Sequence, residues 1–266
     1  MKLLKIITIA TLLIVIPFKV ASAKTVTIAV IDSGIDYRLP NLCRFGHKSF
    51  VKRLPNPLVD EHGHGTHVAG LINSNAGEGN YCLVAIKYYD PAAPGSVNLQ
   101  NMVKAIQYAV NIKAKFINIS GGGPEFNESE FLVIKKALDK KIKVVVAAGN
   151  GDEAGVGVDL DKKCNYYPAC YDKRIISVGN LKITKDFRKL DADWKMLAIK
   201  AGMADKLGSY ETDRAPSSNF GKVVTRWEVG TDVESTLPDG KTGRMTGTSQ
   251  ATAVATGKLV RELLKK

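Results

Sequence analysis

Three short segments of this 266-residue chain carry side chains suited to nucleophilic catalysis: Val30-Ile31-Asp32-Ser33-Gly34, His64-Gly65-Thr66-His67-Val68-Ala69-Gly70 and Gly247-Thr248-Ser249-Gln250-Ala251. They supply a carboxylate, an imidazole and a hydroxyl, in the chain order Asp, His, Ser. A serine hydroxyl is a poor nucleophile at neutral pH, so it needs a base to take its proton and an acid to orient that base. Asp32 closes an apolar run and precedes Ser33-Gly34, a turn signal that leaves its carboxylate where it can accept from an imidazole N–H. Ser249 sits among small residues that let a peptide carbonyl approach. Amide N–H groups at the start of the helix expected after it, including its own, can face a developing oxyanion. Asn150, in Val146-Ala147-Ala148-Gly149-Asn150-Gly151, supplies a side-chain amide as a second oxyanion donor. His62, His64 and His67 allow two chemistries, a catalytic base or a zinc site, although the H-E-x-x-H spacing and its glutamate are missing.

These groups need a scaffold, and the hydrophobic pattern describes one. Nearly continuous apolar runs at 25–31, 83–86, 116–119, 144–148 and 175–178 read as buried parallel strands. Helical periodicity lies between them, at 64–73, at 97–113 (Met102, Val103, Ile106 and Val110 on one face) and at 129–140 (Phe131, Ile134, Leu138), and resumes after Ser249. Such alternation predicts an α/β fold, a doubly wound and mostly parallel sheet with helices on both faces. In these sheets ligands bind beyond the carboxyl ends of the strands, where Asp32, Ser120 and Asn150 fall.

Composition bounds the rest. The chain is long enough for the core of one sizeable domain. Residues 1–23 carry Lys2 and Lys5, an apolar run at 6–18 and then Ala21-Ser22-Ala23, the pattern of a signal peptide. Thirteen apolar residues fall short of the roughly 20 a spanning helix needs. The expected division is therefore a signal peptide at 1–23 and one catalytic domain at 24–266, secreted or periplasmic, with no stable membrane insertion after cleavage. Loss of Lys2, Lys5 and Lys19 with the leader takes the formal charge from +12 to +9. The lysines are interspersed with acids and lack an aromatic stripe, which argues against nucleic acid as a partner. Four cysteines suit an exported protein. Of three possible pairings, the short gap favours Cys164 with Cys170, leaving Cys43 with Cys82.

Taken together, the three motifs, Asn150 and the segment Ile117-Asn118-Ile119-Ser120-Gly121-Gly122 resemble the subtilisin-like serine proteases, from residue 25 to residue 257. The resemblance implies an endopeptidase in which Ser249 attacks the peptide carbonyl, His64 shuttles the proton, Asp32 orients His64 and Asn150 steadies the oxyanion of an acyl-enzyme pathway. It selects His64 as the base and leaves His67 as a structural, inward-facing histidine, with His62 and His47 as polar surface. It also implies that Ser120, Gly121 and Gly122 form the wall that pairs with an extended peptide substrate. Tyr166 would then stand at the floor of the pocket for the side chain preceding the cut bond, making that pocket shallow. A monomer with no cofactor is expected.

The departures from the family pattern carry expectations of their own. The expected cut leaves Lys24 directly before the first strand, without a prodomain, and the fold is expected to be truncated at its C-terminus. The long connection 181–217, with Leu190, Trp194, Leu197 and Ala201 at helical spacing, is expected to cover the face so exposed. Asn41 stands where the family often has an aspartate calcium ligand, which argues against calcium, and a Cys43–Cys82 bridge would take the ion's place. Ala253 lacks the family's usual proline. A second reading is a weakly active or inactive relative that binds peptides or a partner through the same cleft.

Overall fold

The computed structural model describes residues 25–266; the expected signal peptide lies outside the described residues. Among the described residues ten strands and five α-helices follow one another: β1 (Val26–Asp32), β2 (Lys48–Ser49), α1 (His64–Ala76), β3 (Tyr81–Lys87), α2 (Gly95–Asn111), β4 (Phe116–Ile119), α3 (Glu128–Asp139), β5 (Lys143–Ala147), β6 (Ile176–Asp186), α4 (Ala192–Lys200), β7 (Tyr210–Arg214), β8 (Arg226–Val229), β9 (Val233–Thr236), β10 (Thr242–Met245) and α5 (Thr248–Leu264). The main sheet runs β2-β3-β1-β4-β5-β6-β7, with β8 also paired to β6. Only β7 is antiparallel within it.

The apolar runs of the central strands are explained by burial on both faces. Alternate residues of β1 point opposite ways: Ile28 and Val30 meet α1 and α5 through Val68, Ile72, Ala255 and Val260, whereas Ala29 and Ile31 meet α2 and α3 through Met102, Ile106, Ile134 and Leu138. Helices therefore cover both faces, as the sequence pattern predicts. Two disulfides tie down the loops, Cys43–Cys82 and Cys164–Cys170, with Cα atoms 4.8 and 5.7 Å apart.

The connection after β6 departs from expectation. β6 pairs with β5 over its first residues, then continues and pairs antiparallel with β7 from Leu181↔Arg214 to Asp186↔Tyr210. The hairpin so formed carries α4, capped by the Asp191 side chain accepting from Trp194 N at 2.9 Å. A helix forms where the spacing places it, but it covers no sheet face. Trp194 is 59% exposed, Met196, Leu197 and Ile199 are also exposed, and Ala198 is the one buried residue of the helix. The physical reason is topological, because α1 and α5 already occupy the face that α4 was expected to shield.

Behind α1 lies the β9–β10 hairpin. Ser235 Oγ donates to His67 O at 2.8 Å, Asp239 N donates to Asp36 Oδ2 at 2.7 Å, and Arg38 pairs with both Asp36 and Asp239. These contacts fix α1 and the loop after β1 from a distant part of the sequence. No described helix is long and apolar enough to cross a membrane.

Candidate active site

Asp32 is the last residue of β1 and His64 the first of α1. Their approach requires a glycine at position 65, because a Cβ there would lie 2.1 Å from Gly34 O and 3.0 Å from Asp32 Cβ. His64 Nδ1 and Asp32 Oδ1 are 2.8 Å apart, with Asp32 buried and the imidazole partly exposed to the cleft. The charge of Asp32 holds the His64 pKa above its ordinary value, against burial, which acts the other way.

The turn before His64 is organised by Asp60. Its Oδ1 accepts from Ser33 Oγ at 2.8 Å and Gly63 N at 2.9 Å, and its Oδ2 accepts from Thr66 N at 2.8 Å and Thr66 Oγ1 at 2.6 Å. Lys87, at the end of β3, is fully buried and donates to Val59 O at 2.9 Å and to Glu61. Neither Asp60 nor Lys87 stands out in the sequence reading. An acid six residues before Thr66 at a helix start is the signal that was available.

Ser249 lies in the first turn of α5. Its hydroxyl donates to Ser120 O at 2.8 Å, and the Ser120 hydroxyl donates to Ser249 O at 3.0 Å. No hydrogen bond joins Ser249 Oγ to His64, so Asp32 and His64 are directly coupled while Ser249 is held at the end of β4. Ser120 and His64 nonetheless line one cavity of about 250 Å³, together with Asp32, His62, Tyr88 and Gly121. The pair at Ser120 rests on a buried relay: Thr256 Oγ1 donates to Asn118 Oδ1 at 2.8 Å, and Asn118 Nδ2 donates to Ser120 Oγ at 3.0 Å.

Asn150 follows β5. Its Oδ1 accepts from Thr248 N at 2.8 Å and from Thr248 Oγ1 at 3.0 Å. An amide N–H can only donate, so this contact fixes which end of the Asn150 side chain is oxygen and leaves the NH₂ as its donor end. A Cβ at Gly247 would lie 3.3 Å from that Nδ2.

Tyr166 fills a slot between Gly122 and Gly149. A Cβ at Gly122 would meet its ring at 2.9 Å, and one at Gly149 at 2.8 Å. Burial pushes the Tyr166 phenol up to about 12.

The other histidines separate. His67 is buried, with Nε2 3.2 Å from Gly243 O, and burial lowers its pKa. His47 bridges chain segments rather than lying on polar surface: Ala85 N donates to its Nδ1 at 3.0 Å, so the opposite nitrogen carries the proton toward Cys43 O, 2.7 Å away. His62 is exposed, but it lines the cleft and packs edge-on against Tyr89, with ring centroids 5.6 Å apart. Three imidazoles with different partners do not form a zinc site. Among the described residues no cluster of three His, Cys, Asp or Glu is placed to hold a metal.

The donor set around Asn41 does not suit calcium. Asn41 Nδ2 donates to Tyr81 Oη at 2.9 Å, and Asn73 Nδ2 donates to Pro40 O at 2.8 Å. An amide nitrogen turned inward and a phenol do not match the oxygen-rich, carboxylate-bearing shell calcium takes.

Comparison with known proteins gives a consistent picture. A model of the subtilase family (Peptidase_S8) matches residues 23–263. The chain is 31% identical over 243 residues to subtilisin amylosacchariticus of Bacillus subtilis subsp. amylosacchariticus, covering 89% of this chain and 55% of that protein. It is also 31% identical over 243 residues to the subtilisin of Bacillus pumilus, covering 89% and 76%. The chain thus spans about half the length of the first of these relatives. Among solved structures, a cold-adapted subtilisin-like serine proteinase superposes with a TM-score of 0.65 at 22% identity, over 91% of this chain and 76% of that one.

Proposed function

Because the chain belongs to the subtilase family, we propose that it is a serine endopeptidase acting on peptide or protein substrates. Ser249 would be the nucleophile, His64 the general base, Asp32 its orienting acid and Asn150 an oxyanion donor. The observation that carries the reading is the Asp32–His64 contact at 2.8 Å, lining one cavity with the Ser120 that holds Ser249.

The chemistry follows from the geometry. Asp32 accepts the Nδ1 proton, which leaves Nε2 as the basic atom of His64. Rotation of the Ser249 hydroxyl from Ser120 O toward Nε2 transfers its proton as oxygen attacks the substrate carbonyl. The oxyanion that develops would be met by the Asn150 amide and the Ser249 N–H, donors carried on fixed elements that need little reorganisation. Protonated His64 returns the proton to the leaving amine, and water deacylates the ester by the same route in reverse. Ser120 to Gly122 would hold the peptide in extended form, and Tyr166 would limit the side chain preceding the cut bond to small residues.

The two disulfides support an exported, oxidising setting; cleavage after Ala23 and a monomeric mature chain belong to the same proposal. One observation favours a second reading, a weakly active relative that binds peptides: the Ser249 hydroxyl is bonded to Ser120 O and not to His64. A fluorophosphonate probe separates the two. Labelling of Ser249 that disappears in His64→Ala supports the protease, and absence of labelling with retained peptide binding supports the silent relative.

A further inference from the structure

Beside the catalytic cleft lies a larger cavity of about 530 Å³, and the two share Tyr88, Tyr89 and Gly122. A peptide held against Gly121 and Gly122 would therefore drop a side chain into it, at a position away from the cut bond. Its apolar wall is formed by Tyr88, Tyr89, Tyr167, Leu99 and Met102, with Ser96 and Asn98 adding polar groups. Two acids also line it: Glu125, which is exposed to solvent, and Glu130, which is not. Glu130, from the first turn of α3, is 4% exposed and contributes to the same lining.

The carboxyl of Glu130 is held but not neutralised. Oε2 lies 2.8 Å from Tyr171 Oη, and that phenol is itself held by Asn127, whose N donates to it at 3.0 Å and whose O lies 3.2 Å away. Among the described residues no Lys, Arg or His forms an ion pair with it. Burial raises its pKa, opposed by the Tyr171 hydrogen bond. An unpaired acid in an aromatic cavity is costly unless a cation arrives to meet it. A long aliphatic stem ending in a cation satisfies every feature present: the stem packs on Leu99 and Met102, the charge faces the tyrosine rings, and the tip reaches the free oxygen of Glu130.

We propose that Glu130 makes this cavity a recognition pocket for a lysine or arginine side chain of the substrate, at a position not adjacent to the scissile bond. This deepens the protease reading and rests on it. The pocket next to the cut bond, filled by Tyr166, would then select for small size, and this second pocket for positive charge.

The test uses the full chain and fluorogenic peptides from a positional-scanning library, followed by matched peptides carrying lysine or Nε-acetyl-lysine at the best basic position. The acetyl group keeps the stem and removes the charge. Lysine is expected to be favoured by at least about tenfold in kcat/KM, mostly through KM, with the ratio falling to near one in Glu130→Gln, where the amide oxygen still accepts from Tyr171. Equal cleavage of the two peptides by the unaltered protein, or a library preference for aliphatic or aromatic residues at every such position, overturns the proposal. That comparison needs no variant, so it stands even if Glu130→Gln does not fold. Binding of the same peptides to Ser249→Ala, followed by fluorescence anisotropy, keeps the two ideas separate. Selective binding of lysine by Ser249→Ala, with no cleavage by the unaltered protein, retains the pocket and loses the protease, whereas cleavage by the unaltered protein without discrimination does the opposite.

Discussion

Ser249 and Ser120 hold each other by reciprocal hydrogen bonds, hydroxyl to carbonyl in both directions, at 2.8 and 3.0 Å. The pair ties the start of α5 to the end of β4, and the buried Asn118 and Thr256 stand behind it. Asn118→Leu removes a donor from Ser120 and an acceptor from Thr256 in one change of similar volume. It is expected to lower stability by roughly 1–3 kcal/mol in urea denaturation, and to reduce kcat through the loosened Ser249. Unchanged values of both would show that the relay does not position the serine.

The pH profile follows from the Asp32–His64 contact. The base must be neutral to accept a proton, and Asp32 raises its pKa above the ordinary value of about 6.5. Activity should therefore fall as pH drops through that raised value. Asp32→Asn is expected to shift the acid limb to lower pH and to cut kcat by roughly 10⁴-fold, an order known from trypsin and from subtilisin, a relative of this chain. The stability effect has the opposite sense. Folding favours protonated His64, so this contribution is fully present below the unfolded pKa and is lost as pH rises through the folded one. Activity against pH and melting temperature against pH, measured on the same samples, test both halves.

Asn150→Leu removes the side-chain donor and, with it, the acceptor of Thr248 N and Oγ1. The expected loss is about 10²–10³-fold in kcat with KM little changed, a magnitude taken from subtilisin itself. A loss carried by KM instead would place Asn150 in ground-state binding.

Tyr166→Ala should empty the slot between Gly122 and Gly149. Peptide-library cleavage is then expected to move from small residues before the cut bond toward large apolar ones. A strong preference of the unaltered protein for large aromatics there would show that the ring does not limit the pocket.

The Cys43–Cys82 bridge closes a separation of 39 residues. In the chain-entropy account such a bridge is worth about 4 kcal/mol, with engineered and native examples often delivering less. Replacing both cysteines by serine should lower the melting temperature by several degrees, and a chelator should leave it unchanged. A large chelator effect would show that a cation still stabilises this region.

Much of this architecture was legible because burial leaves a simple trace. The continuous apolar runs of β1, β3, β4 and β5 and the spacing of Met102 and Ile106 identify the sheet and the helix faces. The residues that escaped notice act through tertiary contact. Lys87 looks like any lysine at the end of a strand, and only the fold encloses it against Val59 and Glu61. Glu130 belongs by sequence to the polar first turn of a helix, and the cavity beside it is formed by four other segments of chain. The misassigned role of α4 has the same origin. Periodicity marks Trp194 and Leu197 as one side of a helix but says nothing of what, if anything, stands opposite them.

The β9–β10 hairpin also sets the order in which the machinery can be completed. Asp36 and Arg38 wait for Asp239, and His67 waits for Gly243, partners 176 to 203 positions away. A growing or partly translocated chain that has not yet released these residues lacks the clamp on α1 as well as the serine itself. On the proposed protease reading, hydrolytic capacity would arise only once these late contacts form, a timing that would protect the compartment in which the polypeptide is made.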